Sequence, residues 1–537
     1  MKTKLTATLS LLCVAITLQA QNPKTPMMGW SSWNTFKIDI NERLIKETAD
    51  AMVSTGLKAA GYTYVNIDDG FFHGRDSITG RLLYHNVKFP NGMRVVADYI
   101  RSLGLRPGIY SEAGVHTCAY QWDNDKYGKI AGMKGFEDQD AHLFLVEWDY
   151  DFLKLDFCGG LTMGLDEETQ YRRIYEAIQK TGKPDVRMNI CRWMFPGTWA
   201  REVAGSWRMS HDIRNNFNGV LGVRHVFEEN LYLAAYASPG RFNDMDMMQI
   251  GRRTFTEDQE RSHFGLWCMM KSPLLIGADL RNIPESTIKI LTNPEVIALN
   301  QDPLGLQAEL VHRNGRQFVI AKQIEVDQGK VRAVALFNGD TVPRIMRINF
   351  NDIQLSEKVR VRDLWERKDL GEFTGYYETT VRPHATVILR IEGEYAFDKT
   401  TFEGEYAFIN EYNEVKIDRR IYTDARFAPR EGASGNMVLT ALGGSNPNNW
   451  AEFRRVYSST SGKYKFDLFY YSDENRNLTV TVNGKNYQMT NLNSGGINQR
   501  ANATIDEIEL KQGYNTIRLS NIRGLAPDID KFVLQLK

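Results

Sequence analysis

Between residues 27 and about 300, eight short apolar strand-like runs alternate with helix-like stretches. This alternation restricts the fold more than any other feature of the chain. The runs are 28–33 (MGWSSW), 62–68 (YTYVNID), 106–112 (RPGIYSE), 149–157, 186–192 (VRMNICR), 207–212, 241–246 (RFNDMD) and 273–278 (PLLIGA). Helical periodicity fills 41–56, 92–104, 165–182, 222–237 and 256–271. Eight β units separated by helices predict a (β/α)8 barrel. An open doubly wound sheet is the alternative, but the phosphate-binding GxGxxG fingerprint is missing.

A barrel gathers the C-terminal ends of its strands around one pocket. Here those ends are unusually polar or aromatic: Trp33, Asp68 and Asp69, Tyr110 and Glu112, Lys154 and Asp156, Cys191 and Arg192, Arg208 and Asp212, Asp244 and Asp246. A helix cap explains any one of them; it explains the whole set poorly. Asp156 lies in the otherwise apolar FLKLDFCGG. A carboxylate in such surroundings is costly unless it is paired or chemically employed. Lys154, two residues earlier, shares its face if the run is a strand. Asp212 ends a second run, four residues after Arg208. Two carboxylates at two strand ends suit double-displacement glycoside hydrolysis, one as nucleophile and one as acid/base.

After about residue 304 the helical period gives way to strand-like alternation, with turn signals such as Asn314-Gly315. The expected organisation is a signal peptide at 1–20, the barrel at 21–303, an antiparallel β-domain at 304–393, a linker at 394–403 and a β-sandwich at 404–537. The amino-terminal segment has Lys2 and Lys4, an apolar run to Leu18 and a small Ala20. It reads as a cleaved secretory signal, too short for a membrane span, and places the protein outside the cytoplasm, secreted or periplasmic. A lipoprotein reading of Cys13 is disfavoured by Leu12, where a small residue is usual. The 66 basic residues balance 66 acidic ones, so nothing in the charge favours nucleic acid. Cysteine spacing gives no zinc pattern, and no metal or cofactor is expected.

The segments PMMGWSSWNTF, NIDDGFF, GLRPGIYSEAGVHTC, DFLKLDFCGG, CRW, SWRMSHDI, RFNDMDMMQIG and ALNQDPLGLQ resemble, in order, the motifs of glycoside hydrolase family 27, the α-galactosidase family. VRDLWERKDLGEF and VRPHATVILRI extend the resemblance to about residue 392, and GYNTIRLSNIRGLAPDIDKFVL resembles carbohydrate-binding modules of the family 6 and 35 type. The resemblance implies Asp156 as nucleophile, kept ionised by Lys154. It implies Asp212 as acid/base, in surroundings that raise its pKa. Trp33, Asp68, Asp69, Tyr110, Lys154, Arg192, Arg208 and Asp246 are implied to line the sugar pocket. A Cys118–Cys158 bridge is implied too, with Cys191 left free because Ala204 stands where some animal members have its partner.

Two departures stand out. Arg192 replaces a glutamate that helps hold the 2-hydroxyl, and Phe195 occupies a leucine-like position. Both are too large for an acetamide. Arg192 is expected either to serve the pocket as a donor or to turn away and pair with Glu202. Retained Asp68 favours a sugar with a 6-hydroxymethyl group. The expected function is a secreted retaining exo-glycosidase acting on terminal α-D-galactosyl units of a glycan. The rivals are a β-L-arabinopyranosidase of the same family and a non-catalytic carbohydrate-binding protein. Every proposed catalytic residue precedes 250, so the last module is expected to be dispensable for small substrates.

Overall fold

The computed structural model describes residues 24–418 and 424–537, so the expected signal peptide and Cys13 lie outside the described residues. All eight expected strands form: β1 Met28–Ser31, β2 Tyr64–Ile67, β3 Arg106–Glu112, β4 Phe152–Asp156, β5 Arg187–Ile190, β6 Ser206–Arg208, β7 Phe242–Asp244 and β8 Leu274–Ile276. They make one parallel sheet in the order β8-β1-β2-β3-β4-β5-β6-β7. Met248, just past β7, closes the ring through a parallel bridge to Ile276 of β8.

Each strand is followed by a helix: α1 Glu42–Ser54, α2 Met93–Ser102, α3 Glu137–His142, α4 Glu167–Lys180, α5 Ala200–Val203, α6 Val223–Asn230, α7 Glu257–Met269 and α8 Glu285–Leu291. Local sequence sets their starts. Asn41, Asp166 and Thr256 accept backbone N–H groups at the first turns of α1, α4 and α7, and Gln259 completes a capping box at α7. Two expectations change here. The run 207–212 is a strand only to Arg208, so Asp212 lies on the following loop. The 222–237 pattern is a helix only to Asn230. A hairpin of Phe72–Arg75 with Leu82–Tyr84 had no period to announce it.

The second domain is antiparallel, as expected. Its strands are β9 Glu309–Asn314, β10 Gln317–Gln323, β11 Val331–Asn338, β12 Arg344–Asn349, β13 Leu355–Asp363, β14 Lys368–Thr374, β15 Tyr376–Val381 and β16 Thr386–Tyr395. Six form the sheet β9-β10-β11-β16-β13-β14, and β12 pairs with β15. The domain docks on α7, where Gly265 leaves room for Ile388: a Cβ there would stand 2.4 Å from its Cδ1. Lys322 reaches across to donate to the carbonyls of Cys268 and Leu299 at 3.1 and 2.9 Å, satisfying helix-end acceptors that the interface buries.

The last module is a sandwich of a six-stranded and a five-stranded antiparallel sheet. The expected linker 394–403 is shorter at both ends. Glu394 and Tyr395 finish β16, and Thr401–Glu403 pair with Lys531–Val533 inside the sandwich. Among the described residues no helix is long and apolar enough to cross a membrane.

Candidate active site

The pocket floor is built from strand ends. Ser31, Asp68, Lys154, Arg208, Asp244 and Asp246 line a cavity on the barrel axis. Asp156, the last residue of β4, is 5% exposed, and its Oδ1 accepts no hydrogen bond of ordinary length from any described residue. Burial pushes its pKa up to about 6. Lys154 and the Cys191 thiol pull it down, while the charges of Asp68 and Asp212 push it up. Lys154 thus favours the charged form, as expected, but desolvation is the larger effect. Lys154 points along the same face and donates to both oxygens of Asp68 at 3.2 and 3.0 Å. Asp68 also accepts from Ser31 Oγ at 3.1 Å.

Asp212 is unlike Asp156. Its side chain is 68% exposed, and it is held by Arg208, whose Nη2 lies 3.0 Å from Asp212 Oδ1 and 3.0 Å from Asp246 Oδ2. Asp246 has a left-handed backbone, φ 75°, unusual for a residue with a Cβ and characteristic of strained functional positions. Its carboxylate accepts from Ile213 N at 2.8 Å, one residue past Asp212, and burial lifts its pKa to about 6 against the pull of Arg208. Asp212 is not enclosed by the strand ends. It is positioned by the loop and by Arg208.

The remaining expected residues are distributed unevenly. Trp33 is half-buried at the start of the short helix Trp33–Phe36 after β1, packed against the apolar cluster that includes Met247 and Leu275. Asp69 gives its carboxylate to backbone, accepting Ala119 N at 2.9 Å and Gly70 N at 2.7 Å, and burial raises its pKa to about 7. Tyr110 is buried; its hydroxyl accepts Cys118 N at 3.3 Å, and Lys154 lies 5.4 Å from its ring centre. Arg192 turns away, but not to Glu202: its Nε stands 2.9 Å from Glu167 at the start of α4, and Glu202 pairs with Arg172 instead. Cys118 and Cys158 form the expected disulfide, and Cys191 and Cys268 are free and buried.

Glu112 is a residue whose weight the sequence understated. It is fully buried at the end of β3 and accepts the backbone N–H groups of Gly114, Cys158 and Gly160 at 2.9, 2.9 and 3.2 Å. It thereby ties the loop after β3 to the loop that follows Asp156. A Cβ on Gly114 would meet Gly160 N at 2.0 Å, so the two loops touch backbone to backbone. Its closeness to Cys118 and Cys158 is no metal site, because both sulfurs are in the disulfide.

The last module reaches the catalytic face of the barrel. Phe195, on the loop after β5, is fully buried between Tyr236, Tyr412 and Trp207, with ring centres at 4.7, 5.4 and 6.4 Å. Glu414 accepts Phe195 N at 3.0 Å and returns its own N–H to Phe195 O at 3.2 Å. Thr198 N donates to Tyr412 O at 3.0 Å. Phe195 thus packs under the last module, and burial pushes the Glu414 carboxyl up to about 7.

Comparison with known proteins follows the same division. Residues 25–302 match a family model described as alpha galactosidase A, and 319–391 match one described as the alpha galactosidase C-terminal beta sandwich domain. The chain is 40% identical over 366 residues to alpha-galactosidase 3 of Arabidopsis thaliana, covering 67% of this chain and 80% of that one. It is 42% identical over 313 residues to alpha-galactosidase A of Cellvibrio japonicus, covering 56% and 74%. Among solved structures, alpha-galactosidase I of Mortierella vinacea is similar with a TM-score of 0.64 and 30% identity, over 70% of this chain and 99% of that one.

Proposed function

Because the chain belongs to the α-galactosidase family, glycoside hydrolase family 27, we propose that it is a retaining exo-enzyme exported from the cytoplasm, with Asp156 as nucleophile and Asp212 as acid/base. The observation that carries this reading is the contrast between the two carboxylates. Asp156 is buried with one oxygen free for bond formation, and Asp212 faces solvent at the mouth, near enough for its charge to bear on Asp156.

Asp156 attacks the anomeric carbon while Asp212 protonates the departing oxygen. A covalent galactosyl-enzyme forms and the aglycone leaves with that proton. Asp212, now a base, takes a proton from water, which releases the sugar with its original configuration. Lys154 and Asp68 form a paired polar wall beside the nucleophile, and Arg208 and Asp246 hold the acid/base end. Asp68 is the group suited to a 6-hydroxyl, which favours galactose over L-arabinose. The Cys118–Cys158 bond suits an oxidising compartment and supports export. The last module is carbohydrate-binding-module-like by resemblance, but its contacts with the loop after β5 argue that it also supports the barrel.

Proton NMR of the first-formed sugar tests the assignment: α-galactose is expected, and β-galactose would overturn Asp156 as nucleophile. A panel of aryl α-galactoside, β-L-arabinopyranoside and α-N-acetylgalactosaminide identifies the sugar. Asp212→Ala is expected to keep more activity on good leaving groups and to form β-galactosyl azide when azide is supplied.

A further inference from the structure

His384 sits in the second domain, in the turn between β15 and β16, yet its ring belongs to the loop that carries Asp212. That loop runs from the end of β6 to the start of α6. One end is pinned where Ile213 N donates to Asp246. The other end is pinned from outside the barrel. Asn218 Nδ2 lies 2.8 Å from His384 Nε2, and Gln259 Nε2 of α7 lies 3.0 Å from His384 Nδ1. The oxygen of Asn218 is already engaged by Arg224 Nε at 3.2 Å. Gln259 Oε1 is likewise taken, by Thr256 N at 3.0 Å, so both amides present an N–H to the ring; a neutral imidazole accepts at one nitrogen only, and it takes a hydrogen bond from one of them and packs against the other.

The ring also covers Phe217, 5.4 Å away between centres, and Phe217 meets Phe255 and Phe337 at 6.0 and 6.2 Å. His384 itself is locked. Its backbone is left-handed, φ 57°, and its carbonyl accepts Ser262 Oγ at 2.7 Å. A side chain in that conformation is disfavoured and persists only where its surroundings over-determine it. Asp212 directly precedes the first pin; it is mostly exposed and has only Arg208 as side-chain partner among the described residues. Its location is inherited from the loop.

We propose that His384 is a positioning residue that sets the reach of Asp212 across the domain boundary. The proposal rests on the reading of Asp212 as acid/base. A loosened acid matters in proportion to how much protonation the leaving group needs, whereas general loss of structure lowers all substrates alike. The test is kcat/KM for His384→Ala on α-galactosides whose leaving groups run from 2,4-dinitrophenol to an alkyl alcohol. The expected result is a loss under about threefold for the best leaving group and roughly tenfold to a hundredfold for the alkyl one. His384→Gln, which keeps an acceptor, restores most of the loss. Asn218→Ala removes the same contact from the loop side and gives the same steepened dependence, which covers the case of a poorly folded His384→Ala. A uniform loss across the series, or none, overturns the proposal. Asp212→Ala run in parallel keeps the two readings apart: if it shows no leaving-group dependence the acid/base assignment itself falls, and if it does while the His384 and Asn218 variants do not, only the positioning role falls.

Discussion

The loops after β3 and β4 are tied to one another, whereas those after β5 and β6 are tied to domains that come later in the chain. In the first pair a disulfide spans 40 residues, and Glu112 collects three N–H groups from both loops. Asp156 follows directly from a strand. In the second pair, the loop carrying Arg192 is clasped by Tyr412 and Glu414 of the last module, and the loop carrying Asp212 is pinned by His384 of the second domain. Asp156, the proposed nucleophile, is thus placed by the barrel itself, whereas the loops that carry Arg192 and Asp212, the proposed acid/base, are held by appended domains. Such an arrangement lets the mouth of the pocket be altered by changing a neighbour, without touching the strand that holds Asp156.

The largest blow to the self-held half comes from Lys154→Met. It leaves Asp68 buried without its cation, a change that costs about 3–5 kcal/mol in comparable sites, read by denaturant unfolding. It also removes a charge that lowers the Asp156 pKa. In the native enzyme kcat/KM should fall as pH drops through about 6, because the protonated carboxyl cannot attack. In the variant this acid limb should move to higher pH. A limb that stays in place would show that Lys154 does not set the charge of Asp156.

Tyr412→Ala probes the other half. Removing a buried aromatic from the clasp should cost about 3 kcal/mol of stability and lower kcat/KM on an aryl galactoside, while the acid limb near pH 6 stays where it is. The earlier expectation that the last module is dispensable becomes its opposite: removal from residue 401 onward should uncover Phe195 and Tyr236 and weaken the enzyme even on small substrates. A fully active, stable barrel without the module would break the comparison outright.

The smallest effect is expected at Arg192. Its guanidinium is paired with Glu167 in the first turn of α4. Arg192→Ala leaves that carboxylate at a helix N-terminus, which favours it, so the loss should be about 1–2 kcal/mol. Turnover of each sugar in the panel should stay within about threefold. A larger kinetic change confined to one sugar would return Arg192 to the pocket.

Much of the barrel was legible because its signals are local. An apolar run bounded by helical periods reads as a buried strand wherever it occurs, and period two puts Lys154 and Asp156 on one face. The eight strands, the antiparallel second domain and the cysteine bond follow that logic or the family motifs that encode it. Asp212 was legible as a residue but not as an environment. The run 207–212 looks strand-like, yet only its first residues pair, and the exposure of the aspartate depends on a loop whose anchor lies 166 residues beyond Asn218.

The chain by itself determined the alternation of elements, the strand ends that face one pocket, and the placement of Asp156 beside Lys154, since each depends on residues a few positions apart. Tertiary structure alone decided that Arg192 chooses Glu167 over Glu202, that Asp69 accepts the backbone N–H of Ala119, that Phe195 lies beneath the last module, and that His384 contacts the loop of Asp212. The reason is physical: a charged or polar side chain satisfies itself with whichever complementary group the fold brings within about 3 Å, and no spacing along the sequence encodes which of many distant candidates that will be.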